Sequence, residues 1–277
     1  LFPQSYGVHS GEPSQLYLKP APVNHGIVFY WKDKNGSTHK IKAASEGLYS
    51  SRFFTSLGSK RGYIATIEHL MAALYVFNID NVVIEVSSPE IPIFDGSAKV
   101  FVDAFQHGGI SLQPQPKEYM RIKEVVRVEN GDSFAEFFPY EGFLFDVRID
   151  FSSKTIGKQR LLLDVTEESF AQEIAPASTF GFMKDLEKMQ RAELARGANL
   201  ANTIVVGLQD EVLNQEKLLW QDVFVRHKTL DAIGDVALLG RKFVGGFRSY
   251  RGGHMLNTKL VQALMNTARS YEIFLAT

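Results

Sequence analysis

Three short signatures carry residue types that could assemble one metal site: Glu68-His69, His227-Lys228-x-x-Asp231 and Gly253-His254. They offer two imidazoles and a carboxylate as ligands, with a carboxylate and an imidazole to spare. A metal-assisted hydrolysis needs such a spare pair, one group to deprotonate a water and one to protonate a leaving group. His227, Asp231 and Asp235 recur at i, i+4 and i+8, so on a helix they drift by about 40° per step along one face. Leu230, Ile233 and Ala237 carry the apolar stripe beside them. Adjacent Glu68 and His69 diverge by about 100°, which lets one ligate while the other faces a neighbouring water. Gly252 and Gly253 permit close backbone approach ahead of His254, and Asp235 is the candidate to hold its ring protonated. Each signature also has a plain reading: a solvated helix face, a capping pair, a glycine loop before a polar first turn. His9, in Gly7-Val8-His9-Ser10-Gly11, reads as a surface turn on composition and is carried as a candidate substrate contact. His25, His39 and His107 lie in turn-like or polar contexts and receive no role.

These residues need helices and sheets to hold them. Ile67, Leu70, Met71 and Leu74 mark an amphipathic helix beginning near Thr66. Ile27–Trp31 and Asn81–Val86 read as strands, with a turn at Lys34-Asn35-Gly36. Ser97 reads as the cap of a helix running towards Phe105 and closed by Gly108-Gly109. Residues 110–117, with two prolines and no period, are the linker. Beyond it Met120, Ile122, Val126 and Val128 share one strand face, and Asn130-Gly131 is a hairpin turn. Phe145, Val147, Ile149 and Phe151 alternate with Asp146, Arg148 and Asp150 as a strand. Residues 187–215 are irregular and read as an insertion. A long helix over 223–239, a strand over 243–250 and a final helix over 254–271 follow. The halves therefore rhyme in architecture. The reading is α+β, with domains at 1–112 and 118–277. Each has a sheet and two helices, and the helix layers meet in a four-layer sandwich with the site between them.

Bulk composition narrows the function. The 277 residues suffice for two cores, and 45% hydrophobic with 22% charged residues is ordinary globular composition. A net charge of −1 gives no overall basic field for nucleic acid. With no cysteine there are no disulfides and no thiolate zinc sites, so any zinc must be held by His, Asp or Glu. No apolar run approaches the roughly 20 residues of a membrane span, and the first residues do not read as a signal peptide. The expectation is a soluble cytoplasmic protein.

Five stretches together carry a family resemblance: Thr66–Leu74, Pro89–Ala98, Ser178–Phe182, His227–Asp235 and Gly253–Asn257. In order and in register, they resemble the signatures of the UDP-3-O-acyl-N-acetylglucosamine deacetylases, zinc enzymes of the committed step of lipid A synthesis. The resemblance runs from about Gly7 to the C-terminus. It implies two sheet-and-helix domains joined as a β-α-α-β sandwich, with a small insertion in each. It implies zinc on His69, His227 and Asp231, a donor set that also accepts ferrous iron. It implies Glu68 as general base, His254 as general acid with Asp235 as its partner, and Thr179 stabilising the oxyanion. Lys228, Asp185 and Phe180 would line the substrate region. An apolar passage around Leu194 to Val206 would take the acyl chain of a UDP-sugar lipid substrate, and the protein would be a monomer. A base and an acid held in opposite states predict a bell-shaped pH profile.

One departure stands out. Many members carry Arg before the Thr-Phe of the third stretch, where this chain has Ser178, which puts a contact of that loop in question. Two other readings remain open. One is a non-catalytic descendant that binds a sugar nucleotide in the same cleft, although Glu68, His254 and the ligands are all present. The other is a related zinc amidohydrolase acting on another N-acetyl sugar.

Overall fold

The computed structural model describes residues 1–51, 53–59 and 62–275. In chain order the first half contains β1 (Leu16–Pro20), β2 (Ile27–Lys32), β3 (Thr38–Lys42), β4 (Leu48–Ser50), β5 (Thr55–Ser59), β6 (Gly62–Ala65), α1 (Glu68–Val76), β7 (Val82–Val86) and α2 (Lys99–Gly108). Its main sheet has the order β1-β7-β2-β3, parallel only between β2 and β7. Val82, Ile84 and Val86 alternate with less buried neighbours, so this sheet presents one apolar face to the core. β4, β5 and β6 form a separate small antiparallel sheet.

The second half contains β8 (Glu118–Ile122), β9 (Val126–Asn130), β10 (Ser133–Phe138), β11 (Phe143–Asp150), β12 (Lys158–Asp164), β13 (Phe180–Phe182), α3 (Met183–Arg191), β14 (Ile204–Val206), α4 (Val223–Val236), β15 (Lys242–Tyr250), α5 (His254–Met265) and β16 (Tyr271–Leu275). β15 is the spine of a seven-stranded sheet. It pairs with β11 along one edge, and on the other edge with β8 near its start and β10 near its end. β13 and β14 pair in parallel, with α3 and a loop between them.

Every residue of α1 is buried, and so is every residue of α4 except Arg226 and Lys228. A helix buried all round has packed layers on all sides. α1 packs on α4, α5 lies beside α4, and the two sheets close the outside, giving the expected α+β sandwich. Gly234 sets how closely the central helices cross. A Cβ there would fall 2.0 Å from the Glu68 carbonyl oxygen, so only glycine lets α4 reach the first turn of α1.

Three expected elements differ. The final helix stops at Met265, and Tyr271–Leu275 becomes β16, antiparallel to β8. An aromatic and aliphatic run suits a strand, and β8 otherwise ends the sheet as an open edge. Met120, Ile122 and Val126 do face one core, but from two strands, since β8 ends at Ile122 and β9 pairs elsewhere with β10. Ser97 lies one residue too early to cap α2. The cap position is Ala98, and Ser97 Oγ accepts the Lys99 N–H instead. The Asn130-Gly131 hairpin is present, with Asn130 opposite Ser133.

Candidate active site

The three signatures converge where α1, α4 and α5 begin or cross. Glu68 and His69 occupy the first turn of α1, His227, Asp231 and Asp235 one face of α4, and His254 the first turn of α5. All six are buried. Thr66, just before α1, takes a left-handed φ of 57°. Its hydroxyl donates to Glu90 Oε1 at 2.9 Å, which holds this costly turn in place.

His69, His227 and Asp231 offer ligand atoms within 4.8 Å of one another. His69 Nε2 lies 3.5 Å and His227 Nε2 3.3 Å from Asp231 Oδ1. A tetrahedral ion with donors at about 2 Å spaces them about 3.3 Å apart, so the set fits zinc. His227 Nδ1 donates to the Ala177 carbonyl at 3.0 Å, which turns Nε2 towards the other two. Burial pushes His227 down to about 4, keeping it the neutral imidazole that a metal requires. Lys228 Nζ sits 2.6 Å from Asp231 Oδ2. Burial alone would lower the lysine, but Asp231 outweighs it and raises its pKa. The aspartate in turn is held well below the carboxylate range, because His227 and Lys228 overcome its own burial.

Glu68 and His254 face each other, with Oε1 3.9 Å from Nε2. Burial pushes Glu68 up to about 7, beyond what His254 and His69 can offset. For His254 burial acts downward, but Asp235 and Asp231 win and lift it to about 9. His254 Nδ1 donates to Asp235 at 3.0 Å. Asp235 also accepts from Thr55 Oγ1 at 2.6 Å and Asn257 Nδ2 at 2.9 Å. Thus one buried group is poised to take a proton while the other holds one.

The cluster lies in a cleft of about 960 Å³, a size that accommodates a sizeable ligand. Thr179, Phe180, Asp185, Lys228 and His9 all line it. Thr179 spends its backbone on Gly96 and Ile204, leaving the hydroxyl as the donor it has to offer. Phe180 stands edge-on to the His227 ring at 6.1 Å. His9 is part of the cleft wall rather than a free surface turn. Its N–H and that of Ser10 bind the two Glu90 oxygens, each at 2.9 Å, and its ring packs on Phe54. The cleft lining includes the apolar Leu186, Met189, Ala195, Ala198, Leu200 and Val205. Phe151, Arg251 and Lys259 line it too, with Phe151 packed on Phe180 at 5.6 Å and Phe182 at 5.9 Å. His25, His39 and His107 line no part of it.

Several residues of the site carried no signal in the sequence. Thr55 is a lone threonine in a strand, and the Ala177 carbonyl is backbone. Asn257 stood in a recognised stretch but had no role. Ser178 makes its own contact, with Oγ donating to the Asp95 carbonyl at 3.0 Å, and Lys217 Nζ reaches the same oxygen at 3.0 Å. A cation from a distant loop therefore lies where the departure left a contact in question.

The family described as UDP-3-O-acyl N-acetylglycosamine deacetylase matches residues 3–266. The chain belongs to that family. A UDP-3-O-acyl-N-acetylglucosamine deacetylase of Brucella ovis is 45% identical over 267 residues, spanning 96% of this chain and 93% of the relative. The protein of the same name from Brucella melitensis biotype 2 is 44% identical over the same shares. Among the described residues no helix is long and apolar enough to cross a membrane.

Proposed function

We propose that this deacetylase-family chain hydrolyses the N-acetyl group of a UDP-3-O-acyl-N-acetylglucosamine, releasing acetate and the free amine, as the committed step of lipid A synthesis. The observation that carries the reading is the buried cluster of His69, His227, Asp231, Glu68 and His254 in a cleft whose lining is in part apolar and in part basic and aromatic. The apolar lining suits an acyl chain. Phe151 offers a face to a base, and Arg251 and Lys259 offer charge to a diphosphate.

His69, His227 and Asp231 would hold zinc, or ferrous iron, as a catalytic ion. When bound, such an ion supplies Lewis acidity that polarises the acetyl carbonyl and lowers the pKa of a water. Glu68 takes the proton from the attacking water. As charge develops on the carbonyl oxygen, the Thr179 hydroxyl and the Lys228 ammonium are the donors in the cleft wall, and groups so placed typically contribute several kcal/mol. An amide nitrogen cannot leave as an anion, so the C–N bond breaks as His254 delivers its proton to that nitrogen. Asp235 holds the imidazole in the tautomer that points Nε2 at the leaving group. The same proposal takes the protein as a cytoplasmic monomer, divided by residues 113–117 into units of 1–112 and 118–277.

The test is acetate release from UDP-3-O-(3-hydroxyacyl)-N-acetylglucosamine by the zinc-loaded protein, with Glu68→Ala alongside. Turnover that needs the metal and collapses in the variant while zinc stays bound supports the proposal. No turnover with zinc bound overturns it in favour of another N-acetyl sugar or a non-catalytic binder.

A further inference from the structure

We infer that Thr55 is a positioning residue that fixes the proton acceptor and the proton donor of this site relative to each other. The inference rests on the deacetylase reading for what the two groups do, but its geometry stands apart from it. Thr55 opens β5 in the small first-half sheet and is 1% exposed. Each of its three polar groups is committed to the site. The backbone N–H donates to Glu68 Oε2 at 3.2 Å. The carbonyl accepts the Ile67 N–H at the start of α1, at 3.4 Å. The hydroxyl donates to Asp235 Oδ1 at 2.6 Å, across 180 residues of sequence.

The direction of that last bond is fixed by chemistry. An ionised carboxylate only accepts, and the His254 and Asn257 nitrogens approach the same carboxylate as donors. Thr55 and His254 share Oδ1, and Asn257 and His254 share Oδ2, so the carboxylate plane is set by donors on both sides. The His254 ring takes its orientation from that plane. Meanwhile the Thr55 N–H holds the opposing Glu68 carboxylate. Glu68 belongs to α1 and the His254–Asp235 pair to α4 and α5, so the 3.9 Å between Glu68 Oε1 and His254 Nε2 spans the junction of the two halves. One threonine touches both sides of that gap. The small sheet of β4, β5 and β6 thereby has a task in the chemistry, delivering Thr55 to the seam.

The experiment compares wild type, Thr55→Val and Thr55→Ser as zinc-loaded proteins. Valine keeps the backbone N–H and the shape but removes the hydroxyl, and serine restores the hydroxyl. The expected result is a kcat lower by roughly 10–100-fold in Thr55→Val, the usual loss for an outer partner of a site. KM, bound zinc and melting temperature stay at wild-type values, and Thr55→Ser recovers kcat to within a few-fold. In an Asp235→Ala background Thr55→Val produces no further loss. A wild-type kcat in Thr55→Val overturns the inference. So does a loss that serine fails to rescue, or one that tracks lost zinc or folded protein. If the valine variant does not fold, Thr55→Ala takes its place, with the same serine rescue required. A second reading needs no turnover. The Nδ1 proton of His254, assigned by its loss in His254→Ala, shifts in the NMR spectrum of Thr55→Val and not in that of Thr55→Ser. An unmoved resonance overturns the inference. A wild type that releases no acetate while this resonance moves overturns the deacetylase reading alone.

Discussion

Two buried carboxylates in this molecule receive opposite treatment. Glu68, 3% exposed, is pushed up to about 7 by its burial. Asp146, 1% exposed on the second sheet, would also rise on burial, but Arg160 and Arg148, with Arg248, hold it at about 2. The three guanidiniums approach within 2.8, 3.0 and 3.1 Å. They come from three adjacent strands, β12, β11 and β15, where the period of two brings Asp146, Arg148 and Arg248 to the same face. Among the described residues no arginine pairs with Glu68, and its neighbours include Asp231 and Asp235. Burial sets the size of the electrostatic problem, and the partners decide whether it becomes stability or reactivity. Asp146 is built to stay charged, and Glu68 to exchange a proton.

The sharpest way to break this comparison is to neutralise each in turn. Glu68→Gln is expected to lower kcat by about 10²–10⁴ while leaving the melting temperature unchanged or raised, because an amide avoids the cost of burying a charge. Steady-state kinetics beside a thermal melt measures both. A folded variant that keeps wild-type kcat removes Glu68 from the chemistry. Asp146→Asn should do the reverse, with normal kcat and a stability loss of about 3 kcal/mol, the low end for breaking a buried pair. The low end applies because the three arginine side chains are 41%, 51% and 37% exposed and can take up water instead. Urea denaturation checks it, and a kcat loss as large as that of Glu68→Gln would erase the distinction.

Acid titration sharpens the same contrast. Asp146 has a folded pKa near 2, below its ordinary value of 3.8, so its contribution is fully present above about pH 4. Between about pH 4 and pH 2 the unfolded chain takes up the proton first and that contribution drains away. Stability of the wild type should therefore fall over this window more steeply than that of Asp146→Asn. Parallel curves for the two proteins would show that the arginines do not hold the charge.

What could be read from the sequence divides along the same line. Glu68, His69, His227, Asp231, Asp235 and His254 were legible because their spacing places them on helix faces and their neighbours match a family's stretches. The buried all-helical middle followed from the apolar period around Ile67 and Leu230. Thr55 was not legible, since a single threonine in a strand carries no period and its partner Asp235 lies 180 positions away. The Asp146 cluster was half visible. Strand alternation put Asp146 and Arg148 on one outward face, but only sheet order brings in Arg160 and Arg248. The terminal strand β16 was missed because residues 266–270 break the helix with no glycine or proline to announce it.

A pair of lysines extends the comparison to cations, with a smaller effect. Lys228 has the Asp231 carboxylate at 2.6 Å, and its pKa rises despite burial. Among the described residues the acceptors of Lys242 are neutral, the Val76 carbonyl at 3.3 Å and Asn78 Oδ1 at 3.4 Å, and it lies against the Phe143 ring. Burial, with Lys117 nearby, pushes it down to about 8. The Val76 carbonyl belongs to the last turn of α1, so Lys242 is a cation at a helix C-terminus that supplies no basic residue of its own. That favourable placement is not enough to offset desolvation. Between about pH 8 and 10.5 the unfolded chain holds a proton that the folded chain has released, so stability rises with pH across this window. Lys242→Met removes the titration, and its stability curve should lose that rise. At pH 7 it should be at least as stable as wild type, since the relieved desolvation exceeds the lost helix-end contact. A methionine variant that kept the full slope would mean that another group titrates there and that Lys242 is not the uncompensated cation of the pair.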